Sequence, residues 1–296
     1  MALFTLNFFS RYLVGNTEVS VVMPGLGMND DPKEFYGSGK RYKVLWLLHG
    51  SCGDHLDWIK NTNISRYAEE CGLIVVMPSV LTSDYANYRT FADGFRVWDY
   101  ITEELMAMIY HWFPASAEKE DNFIAGASMG GNGALMFALG HPDLFGGAAI
   151  LSSTAREIEY LRPFASYTSA QFRKEAGDAE KFPGPNGTGM REKEINQVAK
   201  YETVQEFLDS YENAWDRFAE VVKAGKLPKM YVSCGTKDKN VYPRFLRFRK
   251  YASDLGADIF FEEVEGYGHE FALWDITLRT AMDYFGISKA DDQPPR

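Results

Sequence analysis

Cysteine is scarce in this chain: 296 residues contain three, at Cys52, Cys71 and Cys234. So odd and widely spaced a set frames neither a disulfide scaffold nor a zinc site, and it fits a reducing compartment. Positive charge is also short. Lys and Arg number 31 against 41 Asp and Glu, a formal net charge of −10. That balance disfavours nucleic acid and anionic membrane as partners, whereas a neutral or cationic substrate meets no repulsion. Long apolar runs are missing too, since none approaches the roughly 20 residues that cross a bilayer. Met1–Ser10 is apolar but has no basic leader, and Thr5 and Asn7 interrupt it. Strand-like alternation describes it better than a signal peptide. On these deficits a cytoplasmic setting is expected.

Apolar residues are plentiful, at 46% with a mean hydropathy of −0.29, so a large core and a polar surface are both available. Leu3–Ser10 and Glu18–Met23 alternate on either side of Gly15-Asn16 and predict an antiparallel opening pair. Val44–Leu48, Leu73–Met77, Phe123–Ala125, Gly147–Leu151, Met230–Cys234 and Ile259–Val264 predict further strands. Continuous apolar runs of this kind suit strands covered on both faces. Helical patterns lie between or after them at 65–71, 98–113, 133–139, 244–255 and 271–285. The alternation argues for an α/β fold with a mostly parallel sheet and helices on both faces. One α/β domain spanning 1–296 is expected, interrupted by an insert at about 154–227. The insert holds one predicted helix over 203–223 with a broad apolar face. An elaborated crossover packed on the body and a cap over the site are equal readings of it.

The most informative stretch is Gly126-Ala-Ser128-Met-Gly130, between an apolar strand and a helical segment. In a strand–turn–helix context, Gly-x-Ser-x-Gly holds a serine on a sharp elbow as a nucleophile. The N–H of Met129 then sits at a helix N-terminus, facing a developing oxyanion. A serine needs a base. Of five histidines, His49 ends a strand and shapes a loop, His55 lies in a polar loop and is simply solvated, His111 falls on a helix and His141 caps one. His269 follows the last strand in a glycine-rich loop, Glu265-Gly-Tyr-Gly-His269, on the edge that the elbow shares. The orienting acid should follow a strand between serine and histidine, which selects Asp238, although it is also placed to cap the next helix. Asp275 reads as a salt-bridge partner. For the second oxyanion donor, the loop His49-Gly-Ser51 offers the N–H of Ser51 beside that of Met129.

The order of these motifs carries a resemblance. Leu47-Leu-His-Gly-Ser-Cys-Gly-Asp54, Trp58, Ile74–Pro78, Ala125–Gly131, Cys234–Asp238 and Gly266–His269 resemble the esterase D-like branch of the α/β-hydrolases. Within it the chain is most similar to bacterial tributyrin and feruloyl (cinnamoyl) esterases, over residues 5–150 and 228–285. The resemblance implies an α/β-hydrolase fold, ester hydrolysis through an acyl-serine and no metal or organic cofactor. It places nucleophile, acid and base on Ser128, Asp238 and His269. The S-formylglutathione hydrolases of that branch have Gly-Leu-Thr-Cys near the oxyanion hole, where this chain has Gly50-Ser51-Cys52-Gly53.

The expected substrates are small-molecule esters with short or aromatic acyl groups. Trp58, Tyr85, Tyr88, Phe91, Trp98 and Trp274 lie in or beside loops that face the serine in such a fold. Stacking on a phenolic acyl group is one role for them, and ordinary core packing is the plainer one. Thioester hydrolysis and acyl transfer use the same triad, and a catalytically idle binding module is the non-enzymatic alternative. Aromatics on the insert suit a homo-oligomer.

Overall fold

In the computed structural model, which describes residues 1–88, 94–184 and 187–288, the chain opens with two antiparallel strands, Ala2–Ser10 (β1) and Gly15–Met23 (β2). Six more strands follow: Lys43–Leu48 (β3), Leu73–Pro78 (β4), Asn122–Ala127 (β5), Gly147–Leu151 (β6), Lys229–Gly235 (β7) and Ile259–Val264 (β8). All eight form one sheet in the order β1-β2-β4-β3-β5-β6-β7-β8. β2 meets β4 antiparallel, and every pairing from β4 to β8 is parallel. β4, β5 and β6 are buried throughout and β3 is buried beyond Lys43, which is why their sequences are unbroken apolar runs. At the sheet edges, β1 and β8 expose part of each strand.

Besides short helices at Pro32–Gly37, Asp57–Asn61 and Ser169–Glu175, the described helices include Ile64–Cys71 (α1), a three-part helix over 97–112 (α2), Met129–Gly140 (α3), Glu192–Ala199 (α4), Val204–Leu208 (α5), Ala214–Lys223 (α6), Tyr242–Asp254 (α7) and Phe271–Tyr284 (α8). Successive strand residues point to opposite faces, so the sheet separates two cores. Val44, Trp46 and Leu48 pack with α2, α3, α7 and the insert, while Leu45 and Leu47 pack with α1 and α8. The result is an α/β-hydrolase fold. Among the described residues no helix is long and apolar enough to cross a membrane.

Two predicted helices differ in detail. α2 widens into a π-helical stretch at Tyr100–Leu105. The expected helix over 203–223 is two helices, α5 and α6, because Asn213 interrupts it. Its side chain accepts the Asp216 N–H at 3.2 Å and donates to the Leu208 carbonyl at 2.6 Å, ending one helix while capping the next. The insert's Phe172, Phe182, Phe207, Trp215 and Phe218 belong to the same core as the strands. Trp98 on α2 ties it down, stacked between Phe137 (centroids 4.5 Å) and Tyr211 of the insert (4.2 Å). The insert's aromatic rings therefore do not form the exposed surface that was expected to suit a homo-oligomer. Among the described residues, no exposed large hydrophobic side chain lies in 154–227, because these rings are spent on the core.

Candidate active site

Ser128 joins β5 to α3 with φ 57° and ψ −116°, a conformation that side-chain-bearing residues rarely adopt and that marks stored strain. Its N–H donates to the Leu151 carbonyl at 2.9 Å, fixing the elbow against β6. The flanking glycines are required by close approach. A Cβ on Gly126 would lie 2.4 Å from the Gly130 carbonyl carbon, and one on Gly130 would lie 2.3 Å from the Leu48 carbonyl oxygen. Met129 opens α3, so its N–H has no acceptor within the helix.

Beyond β7, the buried Asp238 Oδ2 lies 2.6 Å from His269 Nδ1. Its Oδ1 accepts the N–H groups of Asn240 (3.1 Å) and Val241 (3.0 Å) at the start of α7. Of the two roles open to it in the sequence, the carboxylate orients His269; its second oxygen ties down the turn leading into α7, whose own N-cap, Val241, has no side-chain cap. Burial pushes its pKa up, but the His269 hydrogen bond and the two amides outweigh that and hold it below the ordinary value. A carboxylate on Nδ1 selects the Nδ1–H tautomer, leaving Nε2 as the basic nitrogen. Trp274 meets the His269 ring edge-on at 5.1 Å and donates from Nε1 to Ser152 Oγ at 2.9 Å.

His49 shapes the loop after β3, as its position suggested. Nε2 accepts the Val80 N–H at 3.1 Å, so the ring proton sits on Nδ1 and bonds the Gly50 carbonyl at 2.7 Å. Burial lowers its pKa. The loop passes so close to the elbow that a Cβ on Gly50 would touch Ser128 Cβ at 3.8 Å, which brings Ser51 beside it. Cys52 follows with φ 64°, its N–H held by Thr82 Oγ1 at 2.9 Å.

Two expectations about polar side chains need correction. His55 is buried rather than solvated, 2.7 Å from Ser20 Oγ and 3.4 Å from Glu18, because the polar loop folds back over β2. Asp275 serves as a hydrogen-bond acceptor for Asn63, from its N–H at 2.9 Å and its Nδ2 at 2.6 Å. His111 bonds the Ala107 carbonyl on α2, and His141 closes α3 while stacking on Trp98.

Ser51, Ser128, Met129, Asp238 and His269 line one cavity of about 270 Å³. The aromatic candidates do not join them. Trp58 is buried and donates to the Leu48 carbonyl at 3.0 Å. Tyr85 is buried and donates to the His49 carbonyl at 3.0 Å. Trp98 is in its stack and Trp274 supports His269 from behind. All four are core residues whose polar atoms already have partners or whose rings are stacked, so none forms the cavity wall. Tyr88 faces a separate hollow of about 830 Å³ that shares Lys193 with the first. Phe91 lies outside the described residues. What the sequence did not reveal is the cationic part of the wall: Arg156, Arg191, Lys193 and Arg244. No motif marks them, because three come from the insert and one from α7.

A family model named Esterase, described as "Putative esterase", matches residues 28–284. The chain belongs to this esterase family. It is 28% identical over 301 residues to an acetyl esterase of Caldicellulosiruptor saccharolyticus, covering 99% of this chain and 100% of the relative. Two solved structures from Staphylococcus aureus each cover 96% of this chain and 98% of theirs with a TM-score of 0.71. They are the fluorophosphonate-binding serine hydrolase FphF, at 27% identity, and the S-formylglutathione hydrolase FrmB, at 28%. This esterase is accordingly a carboxylic ester hydrolase of the serine hydrolase class.

Proposed function

We propose that the protein hydrolyses short-chain acyl esters, with Ser128 as nucleophile, His269 as general base and Asp238 as the acid that orients it. The observation that supports this most is the 2.6 Å contact between Asp238 and His269 in the wall of the cavity that holds the strained Ser128. His269 Nε2 takes the Ser128 proton as Oγ attacks the ester carbonyl. The N–H groups of Ser51 and Met129 receive the oxyanion, and His269 then protonates the departing alcohol. Water repeats the sequence on the acyl-serine and releases the acid. Every group is supplied by the chain, so the reading needs no cofactor.

Short acyl groups are favoured over feruloyl groups because no nominated aromatic side chain lines the cavity. The likeness to an acetyl esterase over the whole chain points the same way. A panel of 4-nitrophenyl and feruloyl esters tests the choice; feruloyl esters turned over faster than acetyl or butyryl esters would overturn it. A thioesterase reading has support in the likeness to an S-formylglutathione hydrolase, and comparing thioesters with oxygen esters decides between them. Product analysis with added alcohols separates hydrolysis from acyl transfer. The free thiols of Cys52, Cys71 and Cys234 support a cytoplasmic setting, with small-molecule esters as the partners.

A further inference from the structure

The wall around Ser128 runs against the charge of the whole chain. The protein carries −10, yet four cations, Arg156, Arg191, Lys193 and Arg244, face the cavity. Asp238 is the one carboxylate among the residues lining it, and it is committed to His269 and the amides of Asn240 and Val241.

Arg191 and Arg244 converge on the same oxygen, Glu194 Oε1, at 2.8 and 3.4 Å. Arg156 donates to a neutral amide, Gln197 Oε1, at 2.7 Å. Lys193 lies 2.6 Å from the buried Asp84 and reaches Ser51 Oγ at 3.4 Å. Burial, together with the fields of Arg156, Arg191 and Arg247, pushes the Arg244 pKa down to about 10 in spite of Glu194. Guanidiniums crowded to this degree repel one another, and that repulsion is relieved when an anion enters. Anchoring the insert to α7 explains Arg191, Glu194 and Arg244; Arg156 adds its field to Glu194 but spends its hydrogen bond on the Gln197 amide. A planar guanidinium donor set beside a nucleophile is a means of gripping a carboxylate or phosphate.

We propose that the esters this protein prefers carry an anionic group, which docks against Arg156 and Arg244 beside Ser128. For turnover the inference rests on the esterase reading; for binding it does not.

Matched ester pairs test it. Methyl 4-acetoxybenzoate against 4-acetoxybenzoate places the charge on the alcohol side. Ethyl 4-nitrophenyl glutarate against mono-4-nitrophenyl glutarate places it on the acyl side, and 4-acetoxyphenyl phosphate compares phosphate with carboxylate. The expected result is a kcat/KM advantage of about tenfold or more for the charged member of at least one pair, weakening with salt. That advantage should fall about tenfold in Arg156→Gln and be only partly restored in Arg156→Lys, which keeps the charge but not the planar donor set. Neutral esters preferred in both pairs would overturn the proposal, as would an advantage that Arg156→Gln and Arg244→Gln leave intact. If the wild type turned over none of these esters, the esterase reading would fail by itself. Calorimetry of 4-acetoxybenzoate and its methyl ester with Ser128→Ala would then still decide: tighter binding of the acid supports the anion site, and equal binding refutes it.

Discussion

Asp238 holds His269 Nδ1 at 2.6 Å with one carboxylate oxygen while the other accepts the N–H groups of Asn240 and Val241 in the turn leading into α7. The two duties separate by substitution. The side-chain oxygen of asparagine can accept the same turn amides, but asparagine cannot enforce the Nδ1–H tautomer. Asp238→Asn should lose up to about ten-thousandfold in kcat with little change in melting temperature. Asp238→Ala should lose activity similarly and also about 1 kcal/mol of stability. Kinetics beside thermal melts check both. An Asp238→Asn enzyme that keeps its activity would contradict the orienting role.

The elbow glycines give a prediction about folding. A Cβ on Gly130 would meet the Leu48 carbonyl oxygen at 2.3 Å, and backbone cannot rotate away as a side chain can. Gly130→Ala should cost at least about 1–3 kcal/mol, read as a lower midpoint in urea unfolding. A variant as stable as the wild type would mean that β3 and α3 are less tightly apposed than described.

His49 supplies a pH dependence. Its folded-state pKa is lowered from 6.5, first by burial, and a second ring proton would also point Nε2–H at the Val80 N–H. The neutral ring is the form the fold accepts. Its contribution is fully present above 6.5 and is lost as pH falls from there through the folded value. Melting temperature should drop between pH 8 and pH 5 more steeply in the wild type than in His49→Gln. Parallel slopes would remove His49 as the cause.

Trp98 separates packing from recognition. It is clamped between Phe137 and Tyr211, away from the cavity wall. Trp98→Ala should cost about 3–5 kcal/mol of stability. Its ranking of acyl chain lengths, measured below its melting temperature, should match the wild type. A changed ranking would place Trp98 nearer the substrate than its stack allows.

The strands and the elbow were legible because each is a local pattern. β3 to β6 read as apolar runs since both faces are buried, and Gly126-Ala-Ser128-Met-Gly130 states its backbone requirement in its own residues. His269 and Asp238 could be placed because loops after parallel strands share one edge. The wall was hidden for the opposite reason. Arg156, Arg191 and Lys193 come from an insert whose path depends on tertiary contacts such as the Trp98–Tyr211 stack. The aromatic candidates misled because a tryptophan in a loop reads the same whether it faces substrate or donates, like Trp58, to a buried carbonyl. The break between α5 and α6 turned on a single side chain, Asn213, bonding in both directions.

The most direct test of the account is hydrolysis of 4-nitrophenyl butyrate by the wild type and by Ser128→Ala, with folding confirmed by thermal melts. Turnover by the wild type and a loss of about a thousandfold or more in the variant is the predicted result. Equal rates from two folded proteins would contradict it, because the strained elbow would then hold no nucleophile.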